Sequence, residues 1–166
     1  MRKHIVIFVG AALILAGAGC SNAPIASLSA PSASGTQTAS SHRLDLHGRG
    51  LTKVPADIFV RTDLEELDLS GNALIDSLPS QLGHLTKLKV LNVSGNQMTG
   101  LPAEVGQLSD LEVLNVSNNK LTGLPMEIGS LRKLREFDVS GNIYSTKDLE
   151  DIVARLPKTT VVRRLR

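Results

Sequence analysis

One pattern returns at a nearly fixed interval through three-quarters of this 166-residue chain. The triplets Leu44-Asp45-Leu46, Leu67-Asp68-Leu69, Leu91-Asn92-Val93, Leu114-Asn115-Val116 and Phe137-Asp138-Val139 recur at steps of 23, 24, 23 and 23 residues. The extra residue falls within Ile75-Asp76-Ser77. After the triplet each unit supplies an asparagine, Asn72, Asn96, Asn119 or Asn142, with Arg49 in the first unit instead. Then comes an aliphatic residue and proline: Val54-Pro55, Leu78-Pro79, Leu101-Pro102, Leu124-Pro125. Three residues beyond each proline stands Ile58, Leu82, Val105 or Ile128, followed in the later units by Gly83, Gly106 and Gly129. A unit this short cannot enclose a core, so its leucines are buried only by stacking on the units before and after it. The Leu-x-Leu alternation predicts one short strand per unit. The asparagine sits where the chain leaves that strand and can satisfy turn backbone that would otherwise be unpaired. Proline then stops any ladder, and the aliphatic-glycine step leaves room for one helical turn.

This grammar resembles the leucine-rich repeat, L-x-x-L-x-L-x-x-N-x-L. Leu64 to Leu74 fits every position, and Leu111 to Leu121 fits with Val116 as its one substitution. The 23-residue form with Leu-Pro and Ile-Gly is similar to the Ras-group subclass and to many bacterial repeat proteins. The resemblance covers residues 42–166. It implies an α/β solenoid, a right-handed horseshoe segment of about five repeats, with a parallel sheet on the concave side and short helical turns on the convex side. Both ends of such an array need caps. Arg49, and Arg61 where later units have Leu85, Leu108 and Leu131, suit an N-terminal edge that meets water. At the other end Ser145-x-x-Asp148 predicts a capped helix running through Arg155, which Pro157 helps to terminate. Thr159 to Val162 is β-prone and can close the last edge as a sixth strand.

Composition narrows function by exclusion. Aromatics make up 2% of the chain, with no tryptophan, so the core is aliphatic and stacking platforms for nucleic-acid bases are missing. The net charge of +2 disappears once Arg2 and Lys3 are set aside as part of a leader, leaving no basic stripe for phosphates. Cys20 is the only cysteine, which excludes a disulfide framework and a thiolate zinc site.

That cysteine has a telling position. A basic start, Met1-Arg2-Lys3-His4, leads into the apolar run Ile5 to Leu15 and then Ala16-Gly17-Ala18-Gly19. Residues 1–19 therefore read as a secretory signal peptide. Ile5 to Gly19 is 15 residues, short of the ~20 a membrane-spanning helix needs. Ala18-Gly19-Cys20 resembles the end of a bacterial lipoprotein signal, although Gly17 stands where that family has Leu, Val or Ile. The resemblance implies cleavage before Cys20, its acylation, and a membrane-anchored place in the cell envelope. With Ser21 next rather than Asp, it implies the outer membrane where the cell has one. Residues 20–41 join the lipidated cysteine to the repeats. Ser21 to Ser41 carries no charge, and small residues and proline fill 17 of its 21 positions. Such a stretch cannot offset its ordering entropy and reads as a flexible linker.

The outward positions of the strands form columns across the sheet. The first is Arg43, Glu66, Val90, Val113, Glu136, and the second is Asp45, Asp68, Asn92, Asn115, Asp138. A third, His47, Ser70, Ser94, Ser117, Ser140, follows. In the repeat family the concave face is the usual ligand surface. The candidate binding face is accordingly Arg43, Asp45, Glu66, Asp68, Val90, Asn92, Ser94, Val113, Asn115, Ser117, Glu136 and Asp138. Asn72, Asn96, Asn119 and Asn142 form a structural ladder. The histidines His42, His47 and His84 have neither nucleophile–base nor metal-ligand spacing, and Asp45 beside Asp68 lacks a third ligand. The chain thus reads as a non-catalytic module without metal or cofactor. Its expected partner is a protein or peptide, or else a glycan, and not a nucleic acid. The alternative is a structural envelope component that self-associates or binds wall polymer or glycan.

Overall fold

A computed structural model describes residues 42–164. The leader, Cys20 and the linker lie outside the described residues, as do Leu165 and Arg166. The repeats form one open sheet of six parallel strands in sequence order. These are β1 (Arg43–Asp45), β2 (Glu66–Asp68), β3 (Val90–Asn92), β4 (Val113–Asn115), β5 (Glu136–Asp138) and β6 (Val161–Arg163). Each consists of three residues with the middle one turned into the core: Leu44, Leu67, Leu91, Leu114 and Phe137 are buried. The strands begin one residue before the Leu-x-Leu triplets. Ladder bonds nevertheless continue into the second apolar residue, as in Leu69 N–H to Asn92 O at 2.8 Å and Val93 N–H to Asn115 O at 2.9 Å.

Past the strands the chain turns through a left-handed residue in each unit, at Gly48, Gly71, Gly95, Asn118 and Gly141. Asparagine replaces glycine only at 118, and it is the non-glycine residue that tolerates this region best. The four asparagines that follow are all buried. Each works on two units at once. Asn119 donates from Nδ2 to Val116 O and Ser117 O of its own turn and to Val93 O of the preceding one, while its Oδ1 accepts Met98 N–H of that preceding unit at 3.0 Å. Asn72, Asn96 and Asn142 repeat the arrangement. Arg49 can stand at this position in the first unit because no earlier described turn needs bridging.

On the convex side each proline opens a five-residue 3₁₀ turn: Ala56–Val60, Ser80–His84, Ala103–Gln107 and Met126–Ser130. The proline carbonyl accepts the bond that starts the turn, for example Leu82 N–H to Pro79 O at 3.0 Å. Glycine in these turns serves close approach: a Cβ on Gly106 would lie 2.6 Å from the Glu127 carbonyl oxygen of the next turn.

The C-terminal cap follows the expected plan with shifted ends. Helix α1 is Thr146–Val153, and its Ser145 N-cap accepts Asp148 N–H at 3.4 Å. It buries Leu149 and Ile152 over the last turn. Helix geometry stops at Val153 rather than Arg155 because Leu156 must fold back into the core. Thr160 Oγ1 then donates to Leu134 O at 2.6 Å, which sets β6 at Val161–Arg163, beyond the expected Thr159 start. Among the described residues, no helix is long and apolar enough to cross a membrane.

Candidate binding face

The parallel register makes the columns literal. Arg43, Glu66, Val90, Val113 and Glu136 are successive cross-strand partners, and β6 adds Val161. Asp45, Asp68, Asn92, Asn115 and Asp138 form the second column, which β6 extends with Arg163. Val90 and Val113 therefore stand side by side, both half-buried, at the middle of the sheet. A cleft of about 150 Å³ opens on the β1–β3 side of Val90, lined by Arg43, Glu66, Asp68, Val90 and Asn92 among others. The two ends of the face are closed by ion pairs, Arg43 Nη1 to Glu66 Oε2 at 2.8 Å and Arg163 Nε to Glu136 Oε1 at 2.9 Å. Val161 and Arg163 were absent from the sequence-derived face. The β-prone Thr159–Val162 stretch, carried one further step along the register, was the signal that could have placed them.

The second column has a local duty that composition did not reveal. Each Oδ1 accepts the backbone N–H two residues on: Asp45 from His47 at 2.9 Å, Asp68 from Ser70 at 2.8 Å, Asn92 from Ser94 at 3.2 Å, Asn115 from Ser117 at 3.0 Å, Asp138 from Ser140 at 3.0 Å. These side chains close the strand-exit turn. What they offer outward is the remaining Asp oxygen or Asn amide, and Asn92 Nδ2 gives its hydrogen to Asp68 Oδ2 at 3.2 Å. The serine column withdraws from the face. Ser70 and Ser117 are buried at 7% and 6% exposure, and Ser94 is half-buried with its hydroxyl on Asn92 Oδ1 at 2.8 Å. Ser117 and Ser94 thus lie behind the contact surface, because the chain here bends inward toward the asparagine ladder.

One cluster joins a histidine, a serine and an aspartate. His47 Nδ1 lies 2.8 Å from Ser70 Oγ, which in turn donates to Asp68 Oδ1 at 2.5 Å. The order is wrong for nucleophile activation. The serine proton goes to the carboxylate, so the imidazole meets an oxygen lone pair and must itself donate, and Ser70 is shut away from substrate. His47 instead caps the first end of the serine column and covers Gly71. Among the described residues no three His, Cys, Asp or Glu side chains gather as metal ligands.

Just ahead of the strands, a second set of pairs joins neighbouring units: Lys89 to Glu65 at 2.8 Å, Lys133 to Asp110 at 2.7 Å, Arg135 to Glu112 at 3.5 Å. The hydrogen bond from Lys89 holds Glu65 below its ordinary value and raises Lys89 in return, and Lys133 lowers Asp110 in the same way. Lys87 and Lys133 lie on this path into the strands, three residues ahead of Val90 and Glu136.

The profile of a leucine-rich repeat region matches residues 62–166. No curated protein matches the sequence. Among solved structures, a leucine-rich-repeat protein of Leptospira interrogans is 37% identical with a TM-score of 0.62, over 66% of this chain and 28% of that one. The chain therefore spans little more than a quarter of that relative's length. The BIR3–SERK2 complex of Arabidopsis thaliana gives 30% identity and a TM-score of 0.59, over 73% of this chain and 66% of the other. The Arabidopsis receptor kinase HAESA, in complex with the peptide hormone IDA and the co-receptor SERK1, gives 31% and 0.59, over 75% and 22%.

Proposed function

The chain belongs to the leucine-rich-repeat family, and from that premise we propose that it is a non-catalytic module that binds a protein or peptide on its concave sheet face. We further propose that a lipid on Cys20 displays it on a bacterial envelope. The observation that carries the binding reading is the Val90–Val113 pair, apolar, adjacent and outward-facing at the centre of the sheet, with a cleft opening beside Val90. Related repeat domains are seen with protein and peptide partners, which supports the same use here. The envelope reading draws its support from residues 1–20. Six strands at ~4.8 Å spacing span roughly 24 Å, and three residues at ~3.3 Å give roughly 10 Å of width, so the face covers on the order of 240 Å² against the ~800 Å² per partner of a standard interface, and a short segment suits it better than a broad surface.

The test is capture from envelope extract by the full chain, wild type against Val90→Lys/Val113→Lys. Lysine is the better probe here. Glutamate at both sites would set four carboxylates side by side from Glu66 to Glu136, whereas lysines gain Glu66 and Glu136 as cross-strand partners and keep the fold. Partners captured by the wild type should be lost from the variant. Unchanged capture by a folded variant would move binding off this face.

Self-association is the second reading, favoured by one feature: β1 and β6 each have a strand partner on one side only among the described residues. Concentration-dependent sedimentation of the full chain would support it, and a single species across the range would dismiss it.

A further inference from the structure

The concave face has a nearly mirror-symmetric order of charge. Across β2 to β5 the outward pairs run Glu66/Asp68, Val90/Asn92, Val113/Asn115, Glu136/Asp138. A neutral floor two strands wide is bracketed on each side by two carboxylates. Outside the brackets, Arg43 and Arg163 are each engaged by the nearer glutamate, at 2.8 Å and 2.9 Å. The bracket aspartates are left with neutral donors. Asp68 accepts from Ser70 N–H, Ser70 Oγ and Asn92 Nδ2, and Asp138 accepts from Ser140 N–H and Oγ. Neither takes part in any ion pair formed among the described residues. Hydrogen bonds of this kind orient a carboxylate without cancelling its charge.

Resting on the concave-face reading above, we propose that the occupant is an extended basic peptide lying across the strands. Two cationic side chains reach the Asp68 and Asp138 brackets, and an apolar one sits between them over Val90 and Val113. The spacing fixes a sequence pattern. β2 and β5 are three strand steps apart, roughly 14 Å at ~4.8 Å per step. In an extended peptide, residues i, i+2 and i+4 share one side, and i to i+4 spans about 13 Å at ~3.3 Å per residue. The matching segment is therefore Lys or Arg, any residue, an apolar residue, any residue, Lys or Arg. A cation two residues from its partner would reach one bracket only. An acidic segment would meet like charge at both ends, which gives the face a repulsive filter as well as an attractive one.

The test is fluorescence anisotropy with the full chain and three labelled heptapeptides: Ser-Lys-Ser-Val-Ser-Lys-Ser, its isomer Ser-Ser-Lys-Val-Lys-Ser-Ser, and Ser-Glu-Ser-Val-Ser-Glu-Ser. The first should bind about tenfold more tightly than the isomer, and its advantage should shrink at high salt. Asp68→Asn/Asp138→Asn should erase the advantage. That variant keeps its turns, because Asn92 and Asn115 already fill the same position in β3 and β4 and accept the same backbone hydrogen bond. Equal binding of both lysine peptides, preference for the acidic one, or an advantage that survives the double Asn variant would overturn the proposal. Should no peptide bind while Val90→Lys/Val113→Lys still loses its envelope partners, the basic-peptide chemistry fails and the concave-face reading stands.

Discussion

At the scale of single residues, the asparagines and the aspartate column show how far a polar side chain's duty can be read ahead of its contacts. Asn72, Asn96, Asn119 and Asn142 were legible as structural because a polar residue at the same place in every unit, among leucines, has to be satisfied there. Their reach into the preceding unit was not legible, because it depends on how closely two turns stack. Asp68 and Asn92 were harder still: outward position alone suggested a ligand contact, while one oxygen of each was already committed to the turn. The ladder gives a quantitative expectation. Asn119→Ala leaves the interior Met98 N–H without its acceptor and takes one donor from Val93 O, Val116 O and Ser117 O, which keep Asn96 Nδ2, Asn142 Nδ2 and Gly95 N–H. One buried group left unpaired costs ~1–3 kcal/mol, so the loss should fall in that range. Urea denaturation measures it, with Asn22→Ala in the linker as the comparison expected to change little. Equal midpoints for the two would refute the bridging role.

Among the elements, the strands and convex turns followed from spacing, and the cap followed from Ser145 and the β-prone stretch after Pro157. Their limits moved by one or two residues where packing decided, as when Leu156 folding into the core cut α1 short. The ion pairs ahead of the strands are not legible in the sequence. Their partners are 23 or 24 residues apart, so no local spacing rule marks them; only the stacking register brings Glu65 to Lys89 and Asp110 to Lys133. They carry a pH dependence whose sign is fixed. Glu65 and Asp110 are held below their ordinary 4.5 and 3.8, so their contribution is complete above those values and is lost as pH falls through the lowered ones. Lys89 is raised above 10.5, so its contribution is complete below that and is lost as pH rises through the higher value. Both pairs are solvent-exposed, and the effect should be small and salt-sensitive. Urea midpoints at pH 7 and pH 3 should differ less in Lys89→Met/Lys133→Met than in the wild type. An unchanged pH difference in that variant would remove these pairs from the account of acid stability.

For the whole molecule, the repeat period left one architecture available, and that is why the fold was readable from end to end while the ligand was not. A period constrains inward positions, which every unit must share; outward positions vary freely from unit to unit, and their meaning lies in a partner that the chain does not encode. The proposed leader is a separate whole-chain matter. If Cys20 is acylated, an alkyne fatty acid fed to the host should label the wild type and leave Cys20→Ser unlabelled, and equal labelling of both would end the lipoprotein reading. The array itself makes the last expectation. Units touch only their neighbours, so stability is a sum of local terms and damage at one end should spread from that end. Ile152, fully buried in α1 against the last convex turn, is the place to apply it. Ile152→Asp puts a carboxylate at a fully buried position in the apolar core, a change worth about 3–5 kcal/mol. Native-state hydrogen exchange should then lose protection first at Val161 N–H, bonded to Arg135 O, and at Val139 N–H, bonded to Arg163 O. Leu46 N–H and Gly48 N–H, bonded to Asp68 O and Ser70 O at the far end, should keep theirs until the middle strands open. Equal loss at both ends would mean that the six strands unfold as one cooperative block, and the description by neighbour terms would have to be abandoned.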